Sequence, residues 1–179
     1  MIADWRFENN LNDSGPAAVT LSAIASLSYD TGAPACSGTY AVNTTLGWAA
    51  GDAGVLAQLD GYTNFTFTIF LYTSDVTTLQ YPFLIRSDGN WGAHIADGDL
   101  VIEGDGGNIS VPISTNTCLQ VVLVIVPGTA SVTVNGGAPS VFSATCSNVN
   151  ITNIGIGGSA LVPGNSFQGD IREAKFTTP

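Results

Sequence analysis

Glu103-Gly104-Asp105 and His94 are the residues whose types and spacing suit acid–base chemistry. Carboxylates at i and i+2 share one face of a strand about 7 Å apart, a range in which a pair can work on a glycosidic bond. Glycines at 104, 106 and 107 break up a strand, so this pair is expected to belong to a turn. His94 is the single histidine, and the chain has no Gly-x-Ser-x-Gly elbow to present a nucleophile to it. It is expected to be a strand residue held by a backbone partner. Neither a phosphate loop nor a dinucleotide fingerprint is present, and the chain is read as non-enzymatic.

A second set of residues suits binding. An aromatic ring beside a polar loop can stack on a sugar face while Asn or Asp groups take the hydroxyls. Trp48, Tyr81, Asn90 and Trp91 are the candidates for a glycan. Trp91 follows the Asp88-Gly89-Asn90 turn signal directly, and Trp48 follows Gly47 in a Gly/Ala-rich stretch. The sequons at Asn12, Asn43, Asn64, Asn108 and Asn150 are attributed to a composition rich in Asn and Thr.

Positioning such groups falls to β-strands. In Phe65–Tyr72, Phe65, Phe67, Ile69 and Leu71 alternate with Thr66, Thr68, Phe70 and Tyr72, the period-two pattern of a sandwich strand. Leu119–Val126 is apolar at every position except Gln120 and reads as a central strand covered on both sides. Pro127-Gly128 suits a type II turn into a return strand over Ala130–Val134, and Asn135-Gly136 is the next turn signal. Short strands are expected at Phe83–Arg86, Trp91–Ile95, Asp99–Glu103 and Ile109–Ile113, divided by Asx-Gly turns.

The whole chain, 1–179, is expected to form one domain. With 45% hydrophobic and 10% charged residues it is too apolar to remain disordered. The net charge of −10, with Arg6, Arg86, Arg172 and Lys175 the only cations, repels a phosphate backbone and excludes nucleic acid as a partner. No apolar run approaches the length of about 20 residues that spans a bilayer, and the N-terminus has no secretory-signal pattern. Of Cys36, Cys118 and Cys146, one must stay unpaired in any disulfide scheme. Cys118 and Cys146 lie in or beside expected strands and are open to bridging, but sequence does not supply the separation that decides it.

Trp5-Arg-Phe-Glu-Asn-Asn-Leu-Asn-Asp-Ser-Gly15 resembles the opening of laminin-G-like and concanavalin-like domains. Ile154-Gly-Ile-Gly-Gly158 and Phe167-Gln-Gly-Asp-Ile-Arg-Glu-Ala-Lys-Phe176 resemble that family's last two strands. The chain departs from the pattern with Arg172 for the usual Asp, Asn135-Gly136 for Asp-Gly, and Cys118-Leu119 for Trp-His. The resemblance implies an all-β fold, a two-sheet antiparallel jelly roll whose first and last strands lie together. Asp4, Arg6 and Glu8 would then face Arg172, Glu173 and Lys175 and could pair across strands. Related folds carry glucanase sites with a third carboxylate; here Gly107 and Asn108 occupy those positions. The family also points to Ca2+ as the one cofactor to consider, with Glu8, Asn12, Asp13 and Asp170 as ligands and Arg172 opposing it.

The functional expectation is a structural or binding module. By analogy it would be an accessory virion protein, a capsid decoration or fibre-tip protein docking on a protein shell or on its own copies and also able to take a glycan. The alternative is a secreted or cell-surface carbohydrate-binding lectin module.

Overall fold

The computed structural model describes residues 3–7, 10–12, 14–16, 19–30, 41–44, 47–52, 64–86, 90–104, 106–143, 153–158 and 165–178, with backbone alone at 30, 47, 48, 52, 86 and 90. Strands make up all the regular structure among them. In chain order they are β1 (Ala3–Trp5), β2 (Ser22–Ala25), β3 (Ser28–Asp30), β4 (Ala41–Asn43), β5 (Gly47–Asp52), β6 (Phe65–Thr73), β7 (Gln80–Arg86) and β8 (Asn90–Ala96). Then follow β9 (Asp99–Gly104), β10 (Gly107–Pro112), β11 (Thr117–Val126), β12 (Thr129–Val134), β13 (Ser140–Ser143), β14 (Asn153–Ile156) and β15 (Gly169–Thr177).

Two antiparallel sheets result. The eight-stranded sheet runs β13-β12-β11-β6-β15-β4-β3, with β1 also on β15; the seven-stranded sheet runs β10-β9-β8-β7-β14-β5-β2. Alternation along β6 explains the layering: Phe65, Phe67, Ile69 and Leu71 are buried, while Thr66, Phe70 and Tyr72 are not. Phe67 meets Phe83 of the facing sheet at 4.9 Å between ring centres, and Phe176 at the same distance on its own sheet. The first and last strands pair as the resemblance implies, with Ala3 opposite Phe176 and Trp5 opposite Ala174.

Turn chemistry follows local sequence. Asp97 and Gly98 have φ of 53° and 89°, and Asn135 and Gly136 have 51° and 69°, the left-handed pair that a tight hairpin turn demands. Gly128 takes φ of 85°, as the second central residue of a type II turn should.

One expectation needs correction. β11 is covered on one side only: Leu119, Val121, Leu123 and Ile125 are buried, but Val122, Val124 and Val126 lie half-exposed on the outer face. The charges near the two ends do come together, with Asp4 opposite Lys175 across β1 and β15, and ion pairs also run along the chain: Arg6 Nε lies 3.0 Å from Asp4, and Lys175 Nζ 3.2 Å from Glu173. Arg172 sits in a β-bulge between Ile171 and Glu173, and its guanidinium lies over the Phe70 ring at 5.3 Å.

Candidate functional site

The solvent face of the seven-stranded sheet holds the residues most suited to a ligand. Strand register lines up one row across all seven strands: Asn108, Glu103, Gly92, Leu84, Gly155, Ala50 and Ser22 stand opposite one another in turn. At about 4.8 Å per strand this row is about 29 Å long. Its middle is built of small residues, Gly92 and Gly155 without side chains and Ala50 with only a methyl, and both glycines are buried. A Cβ added at Gly92 would meet Leu84 Cδ1 at 2.9 Å, so Leu84 leans into the space that glycine leaves.

Polar groups gather at the β8–β10 end of the row. His94 Nδ1 lies 3.5 Å from Glu103 Oε1 on the neighbouring strand, with the carboxylate half-exposed. Such an exposed pair is worth about 0–1 kcal/mol, so it orients two side chains rather than holding the fold. Ser110 Oγ donates to Asp99 Oδ2 at 2.6 Å, and exposed Asn108 stands opposite Glu103. Tyr81 rests half-buried against the His94 ring at 5.9 Å. An imidazole, two carboxylates, an amide, a hydroxyl and an aromatic edge thus share one face.

The residues singled out by sequence divide. Tyr81 is on this face. Trp48 and Asn90 hold positions on the same sheet, Trp48 opposite Ile24 and Asn90 opposite Arg86, but their side chains lie outside the described residues. Trp91 is a correction: it is fully buried, packs on Phe142 at 5.8 Å, and has no acceptor for Nε1 among the described residues. It faces the core because Gly104, directly across on β9, leaves room for the indole; a Cβ there would meet Trp91 at 2.2 Å. A ring so placed is not a stacking platform for a sugar.

Glu103 lies within β9 and not in a turn, and Asp105 falls outside the described residues, so the carboxylate pair is represented here by Glu103 and its His94 partner. Of the metal candidates, Glu8 and Asp13 also fall outside them. Asn12 is exposed and its N–H donates to Asn10 Oδ1, while Asp170 accepts from Asn43 Nδ2 at 2.9 Å. No group of three or more His, Cys, Asp or Glu among the described residues is arranged to hold a metal. Sequence reasoning passed over Glu103 as a face residue, and over Asn108, Ser110, Gly92 and Gly155. Only their alternation in β8–β10 could have signalled them. No helix among the described residues is long and apolar enough to cross a membrane. Cys118 is disulfide-bonded, while Cys36 and Cys146 both lie outside the described residues.

Among known proteins, neither a protein-family model nor a curated protein matches the chain. Solved structures do. Domain 4 of AbnA, a GH43 extracellular arabinanase from Geobacillus stearothermophilus, in complex with arabinotriose, matches with a TM-score of 0.72 at 16% identity, over 97% of this chain and 90% of that one. Botulinum neurotoxin type C, in a structure concerned with its interaction with two ganglioside molecules, matches with a TM-score of 0.65 at 12% identity over 98% of this chain. This chain spans only 47% of that one. The Ruminococcus gnavus IT-sialidase CBM40 bound to alpha2,3 sialyllactose matches with a TM-score of 0.54 at 13% identity, over 68% of this chain and 79% of that one. At these identities the likeness concerns architecture, and with the sheet order it establishes the fold as a two-sheet antiparallel β-sandwich of the jelly-roll kind.

Proposed function

We propose that the protein is a non-catalytic carbohydrate-binding module, laminin-G-like in its paired first and last strands, whose ligand lies on the solvent face of the seven-stranded sheet. The observation that carries this reading is the row of small residues at Gly92, Gly155 and Ala50, flanked by His94, Glu103, Asn108 and Ser110. A strip of small and apolar side chains gives a sugar ring a flat surface to rest on, and a cluster of donors and acceptors beside it satisfies hydroxyls that lose water. Support comes from the fold neighbours: the arabinanase domain is in complex with arabinotriose, the CBM40 is bound to sialyllactose, and the neurotoxin interacts with two ganglioside molecules. The virion role expected by analogy gains no support from these features and is not part of the proposal.

A glycan array followed by calorimetry tests it. Binding of at least one oligosaccharide is expected, with Ala50→Trp obstructing the strip and abolishing it. His94→Ala and Glu103→Ala should each weaken it about tenfold, the equivalent of about 1.4 kcal/mol. An array with no hits, or affinity unchanged in Ala50→Trp and His94→Ala proteins of native stability, overturns the assignment.

A further inference from the structure

Cys118 stands near the start of β11, opposite Tyr72, on the outer face of the eight-stranded sheet. It is disulfide-bonded, and the chain offers two partners, Cys36 and Cys146. Sheet register separates them. Ser143 is opposite Thr129, and Thr129 opposite Val126, so Ser143 lies at the far end of β11 from Cys118. From Cys118 to Val126 is about 26 Å at about 3.3 Å per residue. Cys146 follows Ser143 by three residues, a reach of about 11 Å, and a disulfide adds at most about 7 Å between Cα atoms. The sum, about 18 Å, falls short.

Cys36 meets the same test. Asn43, Asp170, Tyr72 and Cys118 stand in one row across β4, β15, β6 and β11. Asn43 is therefore about 14 Å from Cys118, and Ala41, two residues further along β4, about 16 Å. Five residues separate Cys36 from Ala41, a reach of about 18 Å before the bond's own span is added. From the other side, Asp30 is opposite Ala41 and one strand further out, about 20 Å from Cys118, and six residues at full stretch span about 21 Å.

We infer that the disulfide joins Cys36 to Cys118 and that Cys146 is a free thiol, the reverse of the pairing that proximity to strands suggests. The bond ties the β3–β4 connection to β11, three strands away in the same sheet. Its formation passes two electrons and two protons from the two thiols to a low-molecular-weight disulfide such as oxidised glutathione, which leaves as two thiols. The pairing requires maturation where such an acceptor is present. It is independent of the glycan reading and stands or falls separately.

Protein equilibrated in a glutathione redox buffer, alkylated without reduction and digested at acid pH tests the pairing by mass spectrometry. Trypsin is unsuitable, because no Lys or Arg lies between Cys118 and Cys146, whereas pepsin can cut at Leu119, Leu123 and Phe142. A linked Cys36–Cys118 peptide with alkylated Cys146 is expected. A Cys118–Cys146 or Cys36–Cys146 linkage, or three alkylated cysteines, overturns the inference. Reduction should lower Tm by on the order of 10 °C, since the bond closes a loop of about 80 residues. That drop should persist in Cys146→Ala and vanish in Cys36→Ser; the opposite pattern also overturns it.

Discussion

At single residues, the loop between β6 and β7 is organised by Asp75. Its carboxylate accepts from the Thr78 hydroxyl and from the N–H and hydroxyl of Thr77, and these bonds hold its pKa at about 2, below the usual 3.8. A carboxyl with a depressed folded pKa contributes stability above its unfolded value and loses it as pH falls. The Asp75 contribution should therefore be complete above about pH 4 and disappear as pH falls from 3.8 through about 2. In urea melts, Asp75→Asn should be less stable than the parent at pH 5, with the gap closing at pH 2. A constant gap would show that the carboxylate's charge plays no part. Gln80 shows the same dependence on local partners: buried, it donates to Asp75 O and accepts from the Gln168 N–H at 2.6 Å. Gln80→Ala takes the acceptor from the Gln168 N–H and one of two donors from Asp75 O, which keeps the Thr73 hydroxyl, and chemical denaturation should register a loss of about 1–3 kcal/mol.

Between elements, the pairing of β8 with β9 decides which side chains reach solvent. Gly104→Ala should drive the Trp91 ring from its slot at a cost of about 1–3 kcal/mol, with a red shift of tryptophan emission. Unchanged stability and emission would mean that the slot is not tight. The same pair shows what sequence can and cannot tell. The turns at Asp97-Gly98 and Asn135-Gly136 were legible, because positive φ is a local demand met by two adjacent residues. β6 was legible from period-two alternation, and β11 and β12 from a Val-rich apolar run and its turn into a return strand, although the run hid which face of β11 is buried. Which face Trp91 takes was not, since one residue of slip exchanges the faces and the arbiter, Gly104, belongs to another strand. The candidate row was hidden for the same reason: its members come from seven strands, and small residues signal nothing until register aligns them.

In the whole molecule, β15 lies in the interior of the eight-stranded sheet, with β6 on one side and β4 and β1 on the other. Its inward residues Ile171, Ala174 and Phe176 are fully buried, and Phe176 packs against Trp5, Phe65 and Phe67. Deleting residues 169–179 should abolish cooperative unfolding and expose dye-binding apolar surface; a native-like melt from that truncation would contradict the arrangement.

Order of synthesis turns this placement into a hazard. On the ribosome, β6 and β4 emerge well before the strand that lies between them, so their unpaired edges and the Phe67 surface wait for a segment still in the exit tunnel. Such waiting edges can be capped by a neighbouring nascent chain as readily as by the proper strand. Yield from a crowded polysome should therefore improve when a holdase chaperone is supplied.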